Sequence, residues 1–185
     1  MATTTTSTPA LDRLRPQEQA GLLPAVLAAH PELGETLEAL ALARVGDVDA
    51  DEIAGELEGR LNDLSLTELA ARAGKQPGYY VHETDAANEI VAEALVSYEE
   101  DLWRATALDL PDVARTVLLG IVAGLHRCCD APDGTVLAYA GPDTPAEHAA
   151  WLVHKALGAG IELDPDEVES RCPDWILLPD GLRQT

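Results

Sequence analysis

The stretch "PDVARTVLLGIVAGLHRCC", Pro111 to Cys129, decides the fold. Val113, Val117, Leu118, Leu119, Ile121, Val122 and Leu125 cover nearly the whole circumference of a helix at 3.6 residues per turn. A helix that is apolar all round has to be enclosed by others. Its apolar run, Val117 to Leu125, reaches only about half of the ~20 residues that cross a bilayer and ends in His126 and Arg127, so it reads as a core element. Gly120 and Gly124 lie four apart, which gives one face where a neighbouring backbone can come close; Gly55 and Gly59 have the same spacing.

Outward from this helix the chain repeats one phrase for starting others. "SLTE" (Ser65 to Glu68) and "TPAE" (Thr144 to Glu147) have the form of capping boxes, and "DPDE" (Asp164 to Glu167) is the same phrase with a carboxylate cap. "DADE" (Asp49 to Glu52) also fits, and this settles the reading of "DVDADEIAGELE", Asp47 to Glu58, whose acids at first, third, fifth and twelfth places mimic a calcium loop. Ile53, Leu57, Leu61 and Leu64 run through it with helical spacing, and Glu52 stands where such a loop needs glycine. It reads as a capped helix.

Other segments follow the same rules. "PQEQAGLLPAVLAAH" sets Leu22, Leu23, Val26 and Leu27 on one side, with Pro24 expected to split or kink it. "PELGETLEALALARV" carries Leu33, Leu37 and Leu40. Asp85 to Leu108 reads as one long amphipathic helix with Ala87, Ile90, Val91, Ala94, Leu95, Tyr98, Leu102 and Trp103 inward. Pro145 to Leu157 is expected to bury Ala149, Ala150, Trp151, Val153 and Leu157, while "TVLAYA" reads as helix or short extended piece. The sum is an all-α chain of antiparallel helix pairs around the central helix at about 111–129. Such pairs can form an irregular bundle or a short HEAT- or tetratricopeptide-like solenoid. Residues 1–10, "MATTTTSTPA", read as a disordered Ser/Thr tail with neither the basic region nor the apolar core of a secretory signal. Residues 11–185 read as one helical domain; if it divides, the lobes are 11–73 and 83–178, joined by 74–82.

Composition excludes several roles. The 33 acidic against 12 basic residues give a net charge of −21, which argues against direct binding to nucleic-acid phosphates and to anionic membranes. A basic protein partner would be steered in by this field, but acidic surfaces usually serve only to keep chains soluble. Three cysteines, two of them adjacent, argue against a disulfide framework and for a reducing, cytoplasmic compartment. The motifs Glu-x-x-His, His-Glu-x-x-His, Gly-x-Ser-x-Gly and Gly-x-x-x-x-Gly-Lys-Ser/Thr are all missing, so di-iron, zinc-protease, serine-hydrolase and phosphate-cradle chemistry have no anchor.

Two stretches remain as candidate sites. "GKQPGYYVHET", Gly74 to Thr84, reads as a loop in which Tyr79, Tyr80 and His82 form a partner-contact surface; the plainer reading sends one tyrosine into the core and lets Thr84 cap the next helix. In "HRCCD", His126 and Cys129 share a helix face and Cys172 could join them as a metal ligand, although no Cys-x-x-Cys anchors such a site and free cysteines commonly pack as small hydrophobes. His148 and His154 lie about 120° apart on one helix and cannot chelate together. The leading expectation is a non-enzymatic helical scaffold that binds another protein and needs no cofactor. The alternative is a small-molecule or metal-binding helical protein, enzymes included, with a pocket near His82 and His126; a third is an acidic mimic of nucleic acid.

Overall fold

The computed structural model describes residues 13–173 and residue 175. The expected tail at 1–10 and most of the apolar C-terminal "CPDWILLPDG" lie outside them. The chain divides into two compact units at Val45 and Gly46, and not at the 74–82 joint. The reason lies in residues 50–62, which pack on the central helix and so belong with everything that follows.

The first unit holds α1 (Pro16–Ala29) and α2 (Gly34–Val45), joined by a 3₁₀ turn at Pro31–Leu33. α1 runs unbroken through Pro24, giving up one backbone hydrogen bond. Neither helix buries a single residue, and Leu22, Leu23, Val26, Leu33 and Leu40 are exposed.

The second unit is the all-α bundle expected, made of α3 (Ala50–Asn62), α4 (Leu66–Arg72), α5 (Glu83–Ala107), α6 (Pro111–Arg127), α7 (Val136–Ala140), α8 (Thr144–Gly158) and α9 (Pro165–Arg171). α6 is its centre, with every residue from Val117 to Leu125 buried and with α3, α5 and α8 around it. α3 lies closest. A Cβ added at Gly120 would sit 2.7 Å from Ile53 Cβ and 2.9 Å from the Ala50 carbonyl oxygen, and one at Gly124 would sit 3.0 Å from the Ala54 carbonyl oxygen. Because Gly120 meets Ala50 and Ile53 while Gly124 meets Ala54 and Leu57, this pair runs in the same direction along the chain. Gly55 and Gly59 have no such role, since nothing lies within 4 Å of a Cβ at Gly59 and only the tip of Arg127 reaches one at Gly55.

The caps decide where the helices begin. Asp49 Oδ1 accepts from the backbone N–H groups of Asp51 and Glu52, each at 2.9 Å, so the calcium-like stretch is indeed a helix start. Ser65 and Asp164 cap α4 and α9 as read from sequence. "TPAE" does not form its box. Thr144 is the first residue of α8 and not the residue before it, and its hydroxyl is shared between the Ala140 carbonyl at 3.0 Å and Asn88 Oδ1 at 3.1 Å. "TVLAYA" is the helix α7, capped by Thr135. On α8 the buried stripe is Ala149, Leu152, Val153 and Ala156, which places Trp151 about 200° from Ala149 and leaves it 49% exposed, against expectation.

Candidate functional site

The joint at 74–82 is a β-hairpin and not an irregular loop. β1 (Gly74–Gln76) pairs antiparallel with β2 (Tyr79–Val81), setting Lys75 opposite Tyr80. Pro77 and Gly78 make the turn, with Gly78 at φ +93°, the left-handed position that glycine fills without steric cost. Strands of three residues are too short to show a period of two, so the sequence carried no strand signal there. Beside the turn Gln76 Nε2 donates to the Arg72 carbonyl at 3.1 Å. Arg72 in turn holds Glu93 of α5 through two hydrogen bonds of 2.8 and 2.7 Å, and this pairing pulls the Glu93 carboxyl below its ordinary range. Tyr79 and Tyr80 are 65% and 61% exposed; Ala73 and Val81 are the residues that meet the core instead. Consecutive strand residues point to opposite sides, so both faces of the hairpin carry an open tyrosine. His82 is exposed, lies edge-on to the Tyr80 ring at 5.2 Å, and occupies the cap position of α5; Thr84 does not cap.

The thiols are packed and protonated. Cys128 and Cys172 are buried, and burial pushes each thiol up to about 11. Burial also raises the half-exposed Cys129. Cys172 Sγ lies 3.9 Å from the Val122 carbonyl oxygen, while His126 stands edge-on to Trp175 at 5.0 Å. Among the described residues no three His, Cys, Asp or Glu side chains gather in a metal-binding arrangement, so His126, Cys129 and Cys172 do not form the expected centre. His82 and His126 each have a different aromatic neighbour, Tyr80 and Trp175, and neither lines the cleft between α5 and α8.

A cleft that the sequence did not point to opens between α5 and α8. Both helices pack on α6 but scarcely on each other. The gap, about 520 Å³, is lined by Asn88, Ala92 and Glu99 of α5 and by Thr144, Glu147, His148 and Trp151 of α8. One end is bridged by the Thr144–Asn88 hydrogen bond. At the other, Lys155 Nζ of α8 stands 4.8 Å from the centre of the Trp103 ring and 4.6 Å from that of Trp151. These two bridges mean that α5 and α8 run side by side in the same direction. Burial lifts the Glu99 carboxyl above its ordinary range, with Lys155 pulling the other way. Burial likewise lowers the His148 imidazole, against the opposing charge of Glu147, so His148 is neutral at pH 7.

Comparison of the chain with known protein families, with curated proteins and with solved structures found no match. The site residues therefore stand on geometry alone. Asn88, Ala92 and Glu99 fall on one face of α5, and Glu147 and Trp151 on one face of α8, spacings that are visible in the sequence. What the sequence lacks is the packing that sets those two faces opposite one another.

Proposed function

We propose that this protein is a non-enzymatic scaffold that docks a basic partner protein on the leucine face of α1 and α2. The observation that carries this reading is that two helices rich in leucine and the turn that joins them bury nothing: Leu22, Leu23, Val26, Leu33 and Leu40 all face solvent. Helices of 14 and 12 residues are near the length at which an isolated helix is marginal in water, so a partner that covers this face supplies the burial they lack. Each Å² of apolar surface covered contributes roughly 25 cal/mol. A second copy of the chain is a poor occupant because it would bring −21 against −21, whereas a basic protein is drawn in by the same field. Tyr79, Tyr80 and His82 of the second unit form a separate aromatic surface of the kind that gives large contact area at low entropic cost.

The test is a photo-crosslinking residue placed at position 23, 40 or 80 in cells that make the protein. The expected result is one discrete heavier adduct at 23 and 40, containing a protein of net positive charge, whose yield falls as salt is raised. An adduct at 80 with the same protein extends the contact to the hairpin. No adduct at 23 and 40, or an adduct made only of two copies of this chain, overturns the reading.

A further inference from the structure

The cleft between α5 and α8 offers acceptors and negative charge. Glu99 and Glu147 make no salt bridge with Arg or Lys among the described residues, and no Arg or Lys is among the residues that line the cleft. Neutral His148 brings a ring nitrogen that can accept a hydrogen bond, and Asn88 and Thr144 close the end of the gap. The half-exposed indole of Trp151 forms a wall, and its π-face already takes the ammonium of Lys155. Lys155 stays on the two indoles and leaves Glu99 without an ion pair, acting on it only through its field.

The spacing of the carboxylates narrows the ligand. The Thr144–Asn88 hydrogen bond sets those two residues level. At a rise of about 1.5 Å per residue, Glu147 lies roughly 4.5 Å further along α8 and Glu99 roughly 16 Å further along α5. Counted from that bond the two carboxylates are offset along the helices by about 12 Å, and counted back from the Lys155–Trp103 contact by about 6 Å, so a ligand that meets both spans roughly 6 to 12 Å, with Ala92 and Trp151 lining the cleft between them. A cavity of about 520 Å³ is in the range that holds a small organic molecule. We propose that this cleft binds a linear aliphatic polyamine, one terminal ammonium at Glu147, the other at Glu99, and the methylene chain along Ala92 and the Trp151 indole. This is a different site from the leucine face of α1 and α2, so either proposal can fail without the other.

Calorimetric titration of the full chain with spermidine at about 150 mM salt, where diffuse attraction is screened beyond ~8 Å, tests it. The expected result is one saturable spermidine per chain, with butylamine binding more weakly because its single ammonium reaches only one carboxylate. Glu147→Gln and Glu99→Gln each weaken spermidine by about ten-fold, the loss of one charge-assisted hydrogen bond. Both substitutions keep side-chain shape, and circular dichroism confirms that the variants are folded. Glu35→Gln on α2, which removes the same charge elsewhere, leaves affinity unchanged. The proposal is overturned by the absence of one-to-one binding. It is equally overturned if Glu99→Gln and Glu147→Gln weaken binding no more than Glu35→Gln does, which would reduce the effect to the attraction of any cation to an acidic chain, or if butylamine binds as tightly as spermidine.

Discussion

α2 and α6 are built from similar material and meet opposite fates. α2 has seven apolar residues among twelve and buries none; α6 has nine among seventeen and, with its two glycines, buries ten positions. Composition does not decide the difference. α6 meets α3 where Gly120 and Gly124 remove the side chains that would hold the helices apart, and it meets α5 and α8 on its other sides. Within its own unit α2 packs mainly on the turn at Pro31–Leu33. An apolar face becomes a core only when another element is shaped to cover it, and one left uncovered points to a partner supplied from elsewhere.

The comparison breaks most sharply under the same truncation in both places. Leu118→Ala, at a fully buried position of α6, is expected to cost about 4 kcal/mol of unfolding free energy, measured by urea denaturation, because a cavity is added to the lost transfer energy. Next comes the close helix pair. Gly120→Ala drives a Cβ into Ile53 and the Ala50 carbonyl and is expected to cost about 2 kcal/mol even after the gain in helix propensity. Gly59→Ala, with open space at its Cβ, should raise stability by roughly 0.5 to 1 kcal/mol. Equal signs for the two glycines would show that the close approach of α3 to α6 is wrong.

A smaller effect separates the cleft from the exposed helices by pH. The folded-state pKa of His148 lies below its ordinary value of 6.5, so as pH falls below that value the unfolded chain takes up the proton first and the folded state loses stability. Glu99 works in the opposite sense, since its folded pKa is raised and acid favours the folded form at lower pH, below its folded value. Thermal unfolding between pH 7 and 6 should therefore fall less steeply in His148→Asn than in the unaltered protein, while Leu40→Ala leaves the slope as it was. Smallest of all is the stability change in Leu40→Ala itself. It should remain within about 0.5 kcal/mol by urea denaturation, and a loss near that of Leu118→Ala would mean that α2 is packed after all.

Some of this was legible in the residues and some was not. The all-α class, the central position of α6, the capped start at Asp49 and the contact face at Gly120 and Gly124 follow from spacing, because helical period and capping act within a few residues. The hairpin at Gly74–Val81 escaped because two three-residue strands carry no readable period, and Trp151 was set inward because it was grouped with four apolar positions of α8 that lie within about 100° of one another, while it stands about 100° further round the helix. The thiols look like ligands in the sequence, but Cys128 and Cys172 are buried and no three metal-ligating side chains gather among the described residues. The cleft belongs wholly to tertiary structure. Glu99 and His148 are 49 residues apart and neither sits in a motif; they become neighbours only because α5 and α8 both lean on α6 and leave a gap between themselves. Local order comes from interactions between residues close in sequence, and a site comes from distant surfaces that a shared core holds opposite one another.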